Sequence, residues 1–289
     1  MSARSPLRSQ LWRRSSSPSL AEIALFEALI QRSILERIRG VIGWIGGIIA
    51  IVTVQMSVYP TVRDSTADWE QATESFPETF REIFRMEDYT TPAGYLSTEL
   101  MTFVIPLIFI GLGAGWGARL TTEDEESRAA DIILGLPISR YEYFVARLAS
   151  LFGVLTTAAF LFAISLVVGS SLLDMNISIL KLVSASCVVL LLGLMGAGLA
   201  AAIGAATGRR AVALGVSLSV LIGAFVVYSL APLVSLFDRF GAVNPWEWTL
   251  GTQPITSGLD LGKSAVALVL SSVLFGLAAR LFATRDITN

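Results

Sequence analysis

The chain has 289 residues, of which 54% are hydrophobic and 15% charged, with a mean hydropathy of +0.68. Counting Gly in and Tyr out leaves about 60% apolar, against ~45–50% in soluble domains, which excludes an ordinary soluble fold and a disordered chain. The absence of His and the single cysteine, Cys187, exclude imidazole catalysis, a disulfide scaffold and ordinary zinc sites, and the net charge of −2 identifies no partner as a bare sum.

Residues 1–18 are rich in Ser and Arg and read as a disordered cytoplasmic tail able to touch anionic headgroups. Residues 19–39 read as an amphipathic helix, capped by Ser19 with Glu22 three positions on. Ile23, Phe26, Ile30, Ile34 and Ile38 recur at helical spacing opposite Glu22, Arg32 and Glu36, the pattern of a helix lying in the membrane surface. A cytosolic helix packed on the protein's own loops would show the same pattern.

Beyond it, six stretches carry no charge: Gly40–Val62 (23 residues), Leu100–Ala118 (19), Leu148–Leu173 (26), Leu182–Gly208 (27), Ala211–Phe237 (27) and Ser264–Ala279 (16). A hydrocarbon core of ~30 Å takes ~20 apolar helical residues. The shortest stretch is flanked by Lys263 and Arg280, whose stems can snorkel to the two interfaces. Six spanning helices over residues 40–289 are expected. With the N-terminus inside, the inner segments carry 15 Lys and Arg and the outer ones six, so both termini are expected in the cytoplasm. Forty polar and amphipathic residues precede the first span, so no signal peptide is expected.

The outer loop 63–97 holds eight acidic residues, and Ser75-Phe76-Pro77-Glu78 within it has the form of a helix start. In the second span, Gly111, Gly113, Gly115 and Gly117 make two overlapping small-xxx-small pairs, and Gly204 with Gly208 makes another in the fourth. These read as helix-packing positions. A dinucleotide fingerprint is excluded by Trp116 and by the lack of a preceding strand. Ala231-Pro232 should kink or stop the fifth span, and the paired Trp of Asn244-Pro245-Trp246-Glu247-Trp248 suit the membrane interface. Gly262-Lys263-Ser264 resembles the end of a phosphate-binding loop, but Ser257 replaces the required first Gly. No acid needs a mid-membrane position, which weakens secondary transport and proton pumping. Glu99 and Lys181 fall at span edges, where hydration is the default.

The cytosolic segment 120–143 between the second and third spans is the most informative. It opens on Glu123-Asp124-Glu125-Glu126, continues with Asp131 and the apolar Ile132, Ile133 and Leu136, and stops at Pro137; Ser139 can then cap the next helix. A short helix with an apolar face and an acidic flank is a docking element, though a solvated turn between spans fits equally.

Glu125-Glu126, the apolar run and Leu136-Pro137-Ile138-Ser139-Arg140, placed between the second and third of six spans, resemble the permease subunit of ATP-binding-cassette (ABC) transporters of the type-2 exporter class. Phe76-Pro77-Glu78, Thr91-Pro92-Ala93-Gly94-Tyr95, the Asn-Pro-aromatic outer loop and the C-terminal Leu281-Phe282-Ala283-Thr284-Arg285-Asp286-Ile287 resemble it too. One departure is Arg128-Ala129, where the family commonly has Gly-Thr. The resemblance implies an all-α polytopic protein of the plasma membrane, prokaryotic, with an N-terminal interfacial elbow helix. It implies a second permease copy or a related permease, and two cytosolic ATPase subunits that carry the ATP and Mg; no cofactor, metal, catalytic residue or nucleic-acid partner is expected in this chain. Glu125, Glu126, Asp131, Ile132, Ile133, Leu136, Pro137 and Arg140 would form the coupling helix seated in the ATPase. The acids would pair with basic residues there and the apolar side chains would fill its groove. The expected activity is export of a hydrophobic or amphipathic solute, with drugs and antibiotics the family-level guess. The alternative is a membrane anchoring or assembly protein whose cytosolic helix recruits a non-ATPase partner. The substrate-binding residues are not legible.

Overall fold

The computed structural model describes residues 20–84, 86, 88–126 and 140–284, and the regular structure in them is helical throughout. In chain order the elements are α1 (Leu20–Leu35), α2 (Ile38–Asp64), α3 (Thr66–Ser75), α4 (Glu78–Phe84), α5 (Pro92–Leu96), a π-helical turn (Ser97–Met101) and α6 (Val104–Glu126). There follow α7 (Arg140–Leu172), α8 (Ile179–Thr207), α9 (Arg210–Leu230), α10 (Ser235–Asp238), α11 (Pro245–Thr249), α12 (Pro254–Ser257) and α13 (Leu261–Thr284). Six helical stretches are long and apolar enough to cross a bilayer: α2, residues 92–123, α7, α8, α9 and α13. The protein is therefore an all-α polytopic membrane protein, as its charge-free stretches require.

The fourth span, α8, is the centre of the bundle and packs against α6, α7, α9, α12 and α13. Lipid tails are as apolar as Leu, so burial from water does not select which helix goes inside; close approach of small residues does. Helix α8 is rich in them, and Gly193, Gly196, Ala197, Ala200, Ala201 and Gly204 are all buried. The elbow region begins as α1, turns at Glu36-Arg37 and continues as α2. Among the described residues, α1 packs extensively against α7 alone, with Ile30 and Ile34 half-buried.

The structure bears out one loop expectation and departs from the sequence reading in two places. Helix α9 ends at Leu230, where Ala231-Pro232 was expected to stop it and seven residues before the end of its charge-free stretch, because Pro232 cannot continue the backbone ladder. The following chain folds back as short helices. There Trp246 is fully buried and does not sit at the interface; its ring lies 4.7 Å from that of Phe225 and its indole Nε1 donates to Leu221 O at 2.9 Å. Asn244 caps α11 by accepting from Trp246 N at 3.0 Å and donates to Ala224 O at 2.9 Å. Only Trp248 stays at the rim, bonded through Nε1 to Ala242 O.

The second departure is Glu99, which is half-buried and hydrogen-bonded inside the protein. Thr91 caps α5 by accepting from Gly94 N at 3.0 Å, Pro92 occupies the first turn, and Tyr95 donates through its hydroxyl to Gln55 O at 2.8 Å. The π-helical turn that follows brings Glu99 against α2, where its carboxylate accepts from Gln55 Nε2 and from the Tyr89 hydroxyl, each at 2.8 Å. Helix α4 begins at the Pro77-Glu78 start read from the sequence, and Phe76 and Phe80 stack at 5.1 Å.

Candidate functional site

The ends of three elements meet at one carboxylate. Helix α6 carries Trp116, Leu120 and Glu123 at i, i+4 and i+7, which is one helix face. Glu123 Oε2 accepts from Arg37 Nη2, at the turn between α1 and α2, and from Arg147 Nη2, in the second turn of α7. The arginine side chains are only 10% and 6% exposed, the carboxylate 32%. Arg147 is also held by the Tyr143 hydroxyl at 2.8 Å and lies 5.5 Å from that ring's centroid, while Arg37 donates to Ser33 O at 3.2 Å and lies 5.1 Å over the Trp116 ring. Charge-assisted bonds of this kind are about twice as strong as neutral ones. Buried cations of this kind tolerate the loss of their acid poorly.

The node stands at the root of the proposed docking segment. Glu125 and Glu126 are in the last turn of α6, and Arg140, half-buried, opens α7. Asp131, Ile132, Ile133, Leu136 and Pro137 lie outside the described residues. The sequence reading counted Arg37 and Arg147 as inner-side charge and Glu123 as one acid among four, and missed the triad. The available signals were Arg147 at the start of the long apolar run of α7, with Tyr143 four residues before it, and the shared face of Trp116 and Glu123.

The glycines divide by face. A Cβ on Gly113 would strike Gly193 O, and one on Gly117 would strike Ala197 O, so these two set the approach of α6 to α8. Gly111 faces Trp44, 3.6 Å from an added Cβ, and Gly115 faces open space. Gly204 lies against Thr121, Thr122 and Ala118 of α6. Gly208 instead closes α8, taking φ 65° and donating to Gly204 O at 2.8 Å, a left-handed cap that favours Gly.

A cavity of about 820 Å³ lies where α9 ends and α13 begins, walled by Tyr228, Pro232, Phe237, Trp248 and Val266 and edged by the Glu247–Lys263 ion pair at 2.9 Å. An apolar groove of about 530 Å³ runs between α7 and α8, past Phe160, Ile164 and Cys187. Among the described residues no cluster of three or more His, Cys, Asp and Glu side chains could hold a metal ion.

No curated protein matches the chain significantly. A family described as ABC-2 family transporter protein matches residues 28–287, from the third turn of α1 to just past the last span. That match takes in nearly the whole chain, and the protein belongs to the ABC-2 family of membrane transporter proteins.

Proposed function

We propose that the chain is the permease of an ABC exporter, which moves a hydrophobic or amphipathic solute out of the cytoplasm using ATP hydrolysed on a separate subunit. The observation that carries this reading is the family match across residues 28–287. In this reading two ATPase subunits, with their ATP and Mg, serve a pair of permeases in the plasma membrane. Residues 125–140 are the coupling segment. Glu125, Glu126 and Asp131 meet basic residues of the ATPase, Ile132, Ile133 and Leu136 enter its groove, and Pro137 ends the helix before Arg140 opens α7. ATP-driven closure of the ATPases pushes this segment and rocks the spans as near-rigid bodies. The outer cavity, aromatic on its walls and charged at one edge, has a volume in the range that takes a drug-sized amphipathic solute.

The test is Ile133→Asp in the permease–ATPase complex, assayed by substrate-stimulated ATP hydrolysis and by efflux from vesicles against a panel of amphipathic compounds. A charge placed in an apolar groove costs several kcal/mol, so the expected result is at least a tenfold loss of efflux with insertion unchanged. ATPase binding and efflux at wild-type levels would remove the coupling assignment, and a stoichiometric partner without a nucleotide site would replace export with membrane assembly.

A further inference from the structure

The Arg37–Glu123–Arg147 triad joins elements that are otherwise connected unequally. Helices α1 and α2 both pack along α7. Between α1 and α6 no comparable packing exists among the described residues. At the turn after α1, Arg37 links this helix to the second span, through Glu123 and the face of Trp116. Each arginine has an anchor on its own side: Ser33 O for Arg37, and the Tyr143 hydroxyl for Arg147. Glu123 is where the two sides meet, three residues before α6 ends at Glu126.

Well-packed apolar side chains would serve stability as well as a buried ion triad does. A shared carboxylate does something they do not: it fixes one register, because displacement of the acid strains both bonds at once. We infer that Glu123 is a positioning residue, a latch that ties the stem of the cytosolic segment to the elbow helix and to the third span, so that displacement of the segment is delivered to both together. That the displacement starts at an ATPase rests on the function proposed above; the latch does not.

The test uses the full chain in lipid nanodiscs with Cys187→Ser, carrying nitroxide labels at Gln31 on α1 and at Asp124 on α6, and reads their distance distribution by pulsed dipolar spectroscopy. The latch requires a narrow distribution in this background, broadened at least twofold by Glu123→Gln and partly restored by Glu123→Asp. Glu36→Gln, which breaks only the exposed Arg32–Glu36 pair, should leave it narrow. If Glu123→Gln does not fold, Arg37→Met reads the same link while keeping the Glu123–Arg147 bond. A distribution as narrow in the foldable variant as in the background overturns the latch. Broadening by Glu123→Gln together with undiminished efflux in Ile133→Asp keeps the latch and removes ATPase coupling.

Discussion

The ionisable side chains that matter most here are those whose place in the chain concealed their partners. Charge-free stretches located the spans because an unpaired charge in hydrocarbon is expensive. The same rule hid Glu99 and Arg147, which lie within helices because Gln55 and Tyr89 donate to the first and Glu123 accepts from the second. No local pattern reports that Gln55 meets Glu99 from 44 residues away, or that Arg37 meets Glu123 from 86. Tyr89 lies in the outer loop, and burial first, then its hydrogen bond to Glu99, raises its pKa. A raised tyrosine pKa favours the neutral folded form, so its contribution to stability is complete below the unfolded value of ~10 and is lost as pH rises through the folded one. Tyr89→Phe should cost about 1 kcal/mol at neutral pH and flatten the loss of thermal stability above pH ~10. A melting series in detergent from pH 7 to 11 reads both, and identical slopes for the two proteins would contradict the assignment.

At the scale of elements, the glycine spacing told that α6 packs closely on something, but not on what. The partner is α8, whose own Gly193 and Ala197 present backbone oxygens to it. Phase separates the four glycines of α6: positions 113 and 117 point into the contact, and 115 into open space. Gly117→Val should therefore push two backbones apart and lower stability by about 3 kcal/mol, at the upper end of overpacking costs. Gly115→Ala should stay within ~0.5 kcal/mol of wild type. Fluorescence-detected gel filtration after heating ranks the pair, and equal melting points would sink the contact. The run of short helices between α9 and α13 was legible only in part. Pro232 announced where α9 stops, but a Trp pair beside a membrane has two destinations. Asn244 decided between them by bonding Ala224 O and turning Trp246 inward.

For the molecule as a whole, six helices long and apolar enough to span, together with the inner excess of arginine, set the expected topology. In a Cys187→Ser background, a membrane-impermeant maleimide added to intact cells should label Ser75→Cys and leave Thr207→Cys unlabelled until the membrane is opened. The reverse pattern would invert the orientation and put the docking segment on the wrong side for a cytosolic partner. The fold class was legible from composition because hydrocarbon imposes one rule on every residue. The triad was not, because it depends on how three helix ends happen to converge.

Helix α7 has a consequence of its own. Its 33 residues extend about 50 Å at ~1.5 Å per residue, whereas the 21 of α9 give about 32 Å, close to the ~30 Å of hydrocarbon. The third span is therefore longer than the hydrocarbon by several turns, which a helix accommodates by tilting or by standing out of the bilayer. Since its uninterrupted apolar run starts at Leu148, the turns holding Tyr143 and Arg147 are the ones a thicker bilayer would draw toward the acyl chains. The depth of the Arg37–Glu123–Arg147 node is thus set jointly by the protein and by the lipid around it.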